Sequence, residues 1–265
     1  MPILAVDDGA DSRLDDYRNV PDPVLLEARG VFVAEGRLVV RRLLCGSRFA
    51  ARSVMVTATA LRSIADVVEE AAPLPVYVVP QQVMNGITGL NLHRGCLAIG
   101  ERRPPESPLE VVREARRIVV AERVGNADNV GAIFRNAAAL GADGVVLDPS
   151  STDPMYRKAI RTSMGAALQV PFARAAAWPG TLESLRAAGF VLVALTLSPD
   201  AAAIRSVAAT LSGRRVAVVV GHEGEGLSDA ALAACDVRAR IPMAAGVDSL
   251  NVATATAIAL HELSH

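Results

Sequence analysis

The chain has 265 residues, of which 51% are hydrophobic, 21% charged and 3% aromatic. That length holds one large domain or two modest ones, at roughly 100–200 residues each, and the composition excludes global disorder, a collagen-like repeat and a coiled coil. With 27 Lys and Arg against 28 Asp and Glu, the formal charge of -1 excludes a globally basic nucleic-acid binder of the tail-and-patch kind, though a local basic face remains open.

Among the basic residues only Lys158 is a lysine. A GC-rich genome favours Arg codons, and a guanidinium also suits bidentate phosphate recognition; composition does not separate the two. The cysteines Cys45, Cys96 and Cys235 are far apart and odd in number, without zinc spacing or a disulfide framework. Reduced thiols and a cytoplasmic location are expected. The acidic N-terminus is unlike a signal peptide. The longest apolar runs, such as Val216–Val220, are much too short to span a bilayer.

In chain order, residues 1–19 read as a flexible polar lead-in with a short helix near Asp15. Residues 20–100 alternate strand and helix: Val31–Ala34, Arg37–Leu44, Ser53–Thr57, Ala60–Glu70, Pro75–Val79, Gln81–Gly86 and Leu97–Ile99. That rhythm is that of a small α/β domain. Residues 101–112 open with ERRPPESPLE, which combines charge with three prolines and reads as a linker. Residues 113–265 form a second α/β domain. Its expected strands are Arg117–Ala121, Gly144–Leu147, Leu168–Pro171, Phe190–Thr196, Arg215–Val220 and Val237–Ile241. Its expected helices are Val130–Leu140 capped by Asn129, Met155–Ser163, Leu182–Ala188, Leu227–Cys235 and Ser249–Leu263. The strands are near-continuous apolar runs, as in a mostly parallel sheet covered by helices on both faces.

Three segments carry the polar chemistry. Gly221–Ser228 (GHEGEGLS) follows a strand and precedes a helix, where open α/β sheets bind ligands. It is neither a Walker A nor a Rossmann fingerprint. A tight turn is the plain alternative, but Glu223 within it suits a ligand bearing hydroxyl or ammonium groups, or an Arg partner. Glu122–Arg135 also begins at a strand end and places Asn129, Arg135 and, just beyond, Asn136 on an otherwise apolar helix. Arg135 alone could equally be a snorkelling surface side chain. Ile241–Ile258 contains a Pro, a glycine loop, then Asp248, Ser249 and Asn251 before a helix of small residues. Helix capping by Ser249 explains part of that pattern.

Together the three segments resemble the SpoU (TrmH-like) ribose 2'-O-methyltransferases of the SPOUT class. The first family motif matches Glu122, Asn129, Gly131–Ile133 and Arg135; the second matches Gly221–Leu227, with His222 where the family usually has Asn. The third matches Ile241–Met243, Gly246, Asp248 (more often Glu), Ser249–Val252 and Glu262, and Arg161–Ala166 looks like the family's Ser-x-Gly-Ala element. The segment around Phe32–Gly36 looks like the family's N-terminal substrate-binding module, which is similar to the ribosomal L30e fold.

The resemblance implies a trefoil-knotted, open, mostly parallel sheet preceded by an L30e-like domain. It implies a homodimer that binds S-adenosylmethionine and methylates a ribose in structured RNA, without metal. The cofactor would lie against Leu195, Thr196, Leu197, Gly221, His222, Gly224, Gly226, Ile241, Met243 and Leu250. Arg135, Asn129, Glu223, Ser249 and Asn251 would be catalytic. Arg135 is awkward as a literal base, since a guanidinium stays charged, and suits stabilisation of a developing alkoxide better. Arg29, Arg37, Arg41, Arg42 and Arg161 would contact RNA, and Val252–Leu260 is the candidate dimer helix. By this reading 23S rRNA is the expected substrate, with tRNA as the alternative. A non-catalytic RNA-binding or assembly protein on the same fold, and an unrelated dinucleotide enzyme, are the competing classes.

Overall fold

Runs of β-branched and small apolar residues, punctuated by glycine and proline, become the strands of two separate sheets. The computed structural model describes every residue except Met1, Pro2, Ala72, Leu90, Asn91, His93, Arg94 and His265. Two units result: Met1–Pro104 with Met155–Gln169, and Pro105–Pro154 with Val170–His265.

The first unit runs β1 (Ile3–Ala5), α1 (Pro23–Ala28), β2 (Val31–Glu35), α2 (Arg37–Leu44), β3 (Ala51–Val56), α3 (Ala58–Arg62), α4 (Ala65–Glu70), β4 (Val76–Val78), α5 (Gln81–Thr88) and β5 (Cys96–Glu101). Its five strands are ordered β1-β4-β3-β5-β2. Strand β4 is parallel to β1 and β3, and β5 is antiparallel to β3 and β2.

Two expectations change here. The lead-in is folded: Ile3 pairs with Val76, Leu14 and Tyr17 are fully buried, and the Tyr17 hydroxyl hydrogen-bonds Ser53 Oγ at 2.8 Å. Its acidic surface masked a few anchoring apolar residues. The helix expected over Ala60–Glu70 breaks at Ser63, whose hydroxyl donates to the Ala60 carbonyl at 2.6 Å and so competes with helix continuation.

The second unit opens with α6 (Pro108–Val111), β6 (Arg117–Ala121), α7 (Ala127–Ala139) and β7 (Gly144–Leu147). The linker is therefore structured: Pro108 takes the first helical position, and Ser107 and Glu110 form a reciprocal capping box.

The chain then contributes α8 (Arg157–Thr162) to the first unit, so residues 155–169 depart from the continuous second domain read from the sequence. Glu35 pairs with Arg157, the Arg42 guanidinium donates to the Met164 carbonyl at 2.7 Å, and the Arg48 amide donates to the Leu168 carbonyl at 3.0 Å. These are long-range polar contacts that no local pattern encodes.

The second unit resumes with β8 (Phe172–Arg174), α9 (Gly180–Ala187), β9 (Phe190–Leu195), β10 (Ala202–Ala203), α10 (Ile204–Thr210), β11 (Arg215–Val220), α11 (Asp229–Ala234), β12 (Val237–Arg240) and α12 (Val252–Glu262). The strand expected at Leu168–Pro171 forms four residues later. Strand β10 and helix α10 had no counterpart in the sequence reading; α10 carries Val, Ser and Thr and no side-chain cap, so its local signal is weak.

Its seven strands are ordered β10-β12-β9-β11-β6-β7-β8, and every pairing is parallel. One face of this sheet buries Ile118, Val120, Leu192, Ala217 and Val219 with Leu182, Leu185 and Ala231 of α9 and α11. Helices α7 and α12 pack together and cover the other face. Small residues make that contact close: Ala253, Thr256 and Ala259 of α12 are buried, and the Asn136 amide donates to the Ala253 carbonyl at 2.7 Å.

Candidate active site

Three neighbouring strands, β12, β9 and β11, end side by side, and the chain leaving each one forms a wall of the same cavity. Leu195 ends β9 and Thr196 and Leu197 follow it, Gly221–Leu227 follow β11, and Ile241 and Met243 follow β12. Ser249, Leu250, Val252 and Ala255 close the remaining side. The cavity encloses about 390 Å³, within the ordinary range for a small-molecule site of ~300–1,000 Å³. All ten residues expected to hold the cofactor line it. This is the carboxyl edge of a parallel sheet, the favoured ligand position in such folds.

The lining is apolar with an acidic component. Glu223, Glu225 and Asp229 face the cavity, and no Lys or Arg is among its lining residues. That charge pattern is poorly suited to a pyrophosphate and well suited to a ligand carrying positive sulfonium and ammonium groups. It argues against a dinucleotide and fits S-adenosylmethionine.

The Gly221–Leu227 loop closes on itself. The His222 amide donates to the Gly226 carbonyl at 3.2 Å, and the Gly226 amide returns to the His222 carbonyl at 2.9 Å. Inside the loop, His222 Nδ1 accepts from the Gly224 amide at 3.0 Å and the Glu225 amide at 3.2 Å. That assigns the ring's proton to Nε2 in the neutral form. An Asn side-chain oxygen could accept the same amides, which explains how His222 occupies the family's Asn position. At Gly221, an added Cβ would stand 2.4 Å from the Gly226 carbonyl carbon and 2.5 Å from the Leu227 nitrogen. Only glycine permits that backbone approach.

Polar residues from all three motifs converge. The Asn129 amide donates to Glu223 Oε1, and the Asn251 amide donates to Asn129 Oδ1 at 2.8 Å. Asn251 Oδ1 also accepts from the Ala253 amide at 2.9 Å and caps α12. The caps thus differ from expectation. Asn126, not Asn129, caps α7, leaving Asn129 in the first turn and turned inward. Asn251, not Ser249, caps α12, leaving Ser249 in the loop beside the cavity.

Three further residues are placed otherwise. Arg135 is exposed on α7, has no hydrogen-bond or ion-pair partner among the described residues, and is not part of the cavity lining. Six residues along a helix turn it well away from Asn129. Glu122 is buried and serves the scaffold: it accepts from Trp178 Nε1 at 2.6 Å, from the Ser228 hydroxyl at 2.6 Å and from the Ser228 amide at 2.8 Å, fixing the start of α11. Asp248 is exposed and outside the lining.

The arginines expected on RNA belong to the first unit. Arg41 forms a two-pronged pair with Asp66 at 2.7 and 2.6 Å. Arg29 donates to the Asp15 carbonyl at 3.2 Å, Arg42 to that of Met164, and Arg161 lies 3.8 Å from Glu35. Arg37 is exposed and lines a separate first-unit cavity with Asp7, Thr57 and Gln81. Among the described residues no group of His, Cys, Asp or Glu could hold a metal ion, and no helix is long and apolar enough to cross a membrane.

A seven-stranded parallel sheet with an acidic, backbone-walled cavity at its carboxyl edge defines an α/β enzyme for a cationic nucleoside cofactor. The chain belongs to the SpoU rRNA Methylase family, whose model matches residues 116–261. It is an S-adenosylmethionine-dependent RNA methyltransferase. It is 44% identical over 268 residues to an uncharacterized tRNA/rRNA methyltransferase of Mycobacterium bovis, covering 99% of this chain and 92% of that one. The AdoMet-bound rRNA methyltransferase of Sinorhizobium meliloti superimposes with a TM-score of 0.83 at 27% identity, covering 98% of this chain and 97% of that one. The SpoU methyltransferase AviRb of Streptomyces viridochromogenes shares the fold, with a TM-score of 0.81 at 21% identity over 96% of each chain.

Proposed function

We propose that the protein transfers a methyl group to a ribose 2'-hydroxyl of structured RNA, with 23S rRNA as the substrate. The observation that carries this reading is the convergence of Asn129, Glu223 and Asn251, one from each motif, beside a cavity lined by the ten expected cofactor residues. The rRNA assignment is supported by the Sinorhizobium meliloti rRNA methyltransferase, whose likeness spans the first unit as well as the second. In this reading the first unit is the L30e-like module that holds RNA, the second unit carries the trefoil knot, and the protein acts as a cytoplasmic homodimer without metal.

Bound S-adenosylmethionine supplies a methyl group on a sulfonium, an excellent leaving group. Leu195–Leu197, Ile241, Met243 and Leu250 offer backbone and apolar contacts to its nucleoside. The acidic lining, with Glu223 oriented by Asn129, balances its positive charge. When the cofactor is bound, transfer would join the 2'-oxygen to the methyl carbon while the carbon–sulfur electron pair stays on sulfur as the neutral thioether and the hydroxyl proton passes to solvent. Arg135 stabilises the developing alkoxide and the adjoining phosphate. Since Arg135 lies outside the lining of its own cavity, the site is complete only where RNA or a second copy of the chain brings them together, which favours the homodimer.

The decisive experiment is transfer of labelled methyl groups to purified rRNA and tRNA, with 2'-O-methyl mapping in RNA from cells lacking the gene. Methylation of rRNA at one ribose supports the reading, and methylation of tRNA alone overturns the substrate assignment. An Arg135→Ala protein should lose at least about tenfold in rate. A smaller loss removes Arg135 from the mechanism.

A further inference from the structure

The cofactor loop is also gripped from outside, by a residue that no sequence motif assigns. Arg123 is the second residue after β6 and has a φ of +55°. That left-handed conformation is unfavourable for a side chain with a Cβ and persists only where its surroundings enforce it.

The enforcing group is Asp148, which is buried. Its Oδ1 accepts the Arg123 amide at 2.9 Å, the Ser151 amide at 2.8 Å and the Ser151 hydroxyl at 2.6 Å. Ser151 Oγ in turn accepts the Val124 amide at 3.0 Å. The turn is thus held at both of its residues. Its result is the direction of one guanidinium: Arg123 Nη1 reaches Glu225 Oε2 at 2.7 Å and Nη2 reaches the Gly226 carbonyl at 3.3 Å. Glu225 and Gly226 line the cavity, whereas Arg123 does not. The buried Arg123 Nε has no partner among the described residues, so this side chain gives up one donor to make that reach.

We propose that Arg123 is a positioning residue for the cofactor: its guanidinium fastens the Glu225–Gly226 limb of the loop in the closed form that shapes the cavity. The proposal rests on the assignment of that cavity to S-adenosylmethionine. Glu225 is 71% exposed, so the ion pair contributes little to global stability. Its effect falls on binding, because a loop already ordered need not be ordered by the ligand.

The test uses the full-length protein and measures the S-adenosylmethionine dissociation constant by calorimetry, the ligand-free Tm, and kcat with KM for each substrate. Arg123→Gly accepts the left-handed backbone and removes only the fastener. It should leave Tm unchanged or raised while weakening cofactor binding about three- to fivefold, the upper scale for an exposed ion pair. KM for the cofactor should follow, with kcat and KM for RNA within about twofold. Glu225→Ala should weaken binding at least as much, because it removes the fastener and one carboxylate of the acidic lining, and the double variant should bind within about twofold of Glu225→Ala alone, since Arg123 acts through the limb that Glu225 ties. Unchanged cofactor affinity in Arg123→Gly overturns the proposal, as does a double variant whose losses multiply. A rise in KM for RNA at unchanged cofactor affinity overturns it as well, by assigning Arg123 to the RNA. A parent protein that binds no S-adenosylmethionine overturns the cavity assignment itself, and the fastener with it.

Discussion

The Asn129 side-chain amide donates to the Glu223 carboxylate across 94 residues of sequence, joining the first turn of α7 to the loop after β11. Asn251 completes the chain by donating to Asn129 Oδ1. Asn129 is mostly buried, so both of its polar ends must be satisfied by protein, and here each is. The relay fixes the direction of the Glu223 carboxylate, one of the three that line the cavity.

Removing the middle of that relay should therefore cost more than one hydrogen bond. Asn129→Ala leaves Glu223 without its donor and the Asn251 amide without its acceptor; both partners are exposed to water, so each lost bond counts at about 0.5–1.5 kcal/mol. Methyl transfer should fall by about 10- to 100-fold, with a smaller change in Tm. Asn129→Asp should be at least as damaging, because it sets a second carboxylate against Glu223. An Asn129→Ala protein within threefold of the parent rate would remove the relay from the mechanism.

His222 provides a second, separable prediction. Its Nδ1 accepts two loop amides, a role an Asn oxygen can fill and a methyl group cannot. His222→Asn should bind S-adenosylmethionine within about threefold of the parent, and His222→Ala about five- to tenfold more weakly, at roughly 1 kcal/mol net for a hydrogen bond. A His222→Ala protein that binds S-adenosylmethionine as tightly as the parent would sink the account.

The residue pattern itself marks Gly221–Gly226 and Ile241–Met243 as short segments that directly follow apolar strands, and the ten cofactor positions come from the motif resemblance rather than from periodicity. What was not legible depends on distant partners. The placement of residues 155–169 turns on pairs such as Glu35 with Arg157. The scaffold role of Glu122 needs Trp178 and Ser228, 56 and 106 residues away. Asn129 and Ser249 both suit a cap by residue type alone, and only geometry shows Asn126 and Asn251 filling those positions. Arg123 carries no motif at all; its one signal is a left-handed φ, which a sequence does not display.

Gly221 gives the most severe expected substitution. With a Cβ 2.4 Å from the Gly226 carbonyl carbon, Gly221→Ala cannot be relieved by a flexible side-chain end, since the obstructing atoms are backbone. The loop must open or β11 must shift, at about 1–3 kcal/mol for overpacking. Cofactor binding should be lost at concentrations that saturate the parent, with a drop of a few degrees in Tm. By contrast Gly224→Ala meets only His222 ring atoms at 3.6 Å and should bind nearly as the parent does.

The turn that holds Arg123 makes a prediction for pH. Burial by itself raises the Asp148 carboxyl, but hydrogen bonds from the Ser150 and Ser151 hydroxyls and from the Arg123 amide outweigh it and hold the group below the usual carboxylate range. A carboxylate depressed in the folded state binds fewer protons there than in the unfolded chain, so its stabilisation is complete above the unfolded value of about 3.9 and is lost as pH falls through the lower folded value. The acid limb of unfolding, followed by denaturant titration from pH 7 to pH 3, should be shallower in Asp148→Asn than in the parent. Asp148→Asn should also be less stable at pH 7, because an amide accepts these donors more weakly than a carboxylate and adds N–H groups of its own to the site. The same substitution loosens the Arg123 amide, so cofactor affinity should fall with it at neutral pH. An Asp148→Asn protein with the parent's acid limb would mean that other carboxylates govern acid unfolding and that the Asp148 turn is not a stability determinant.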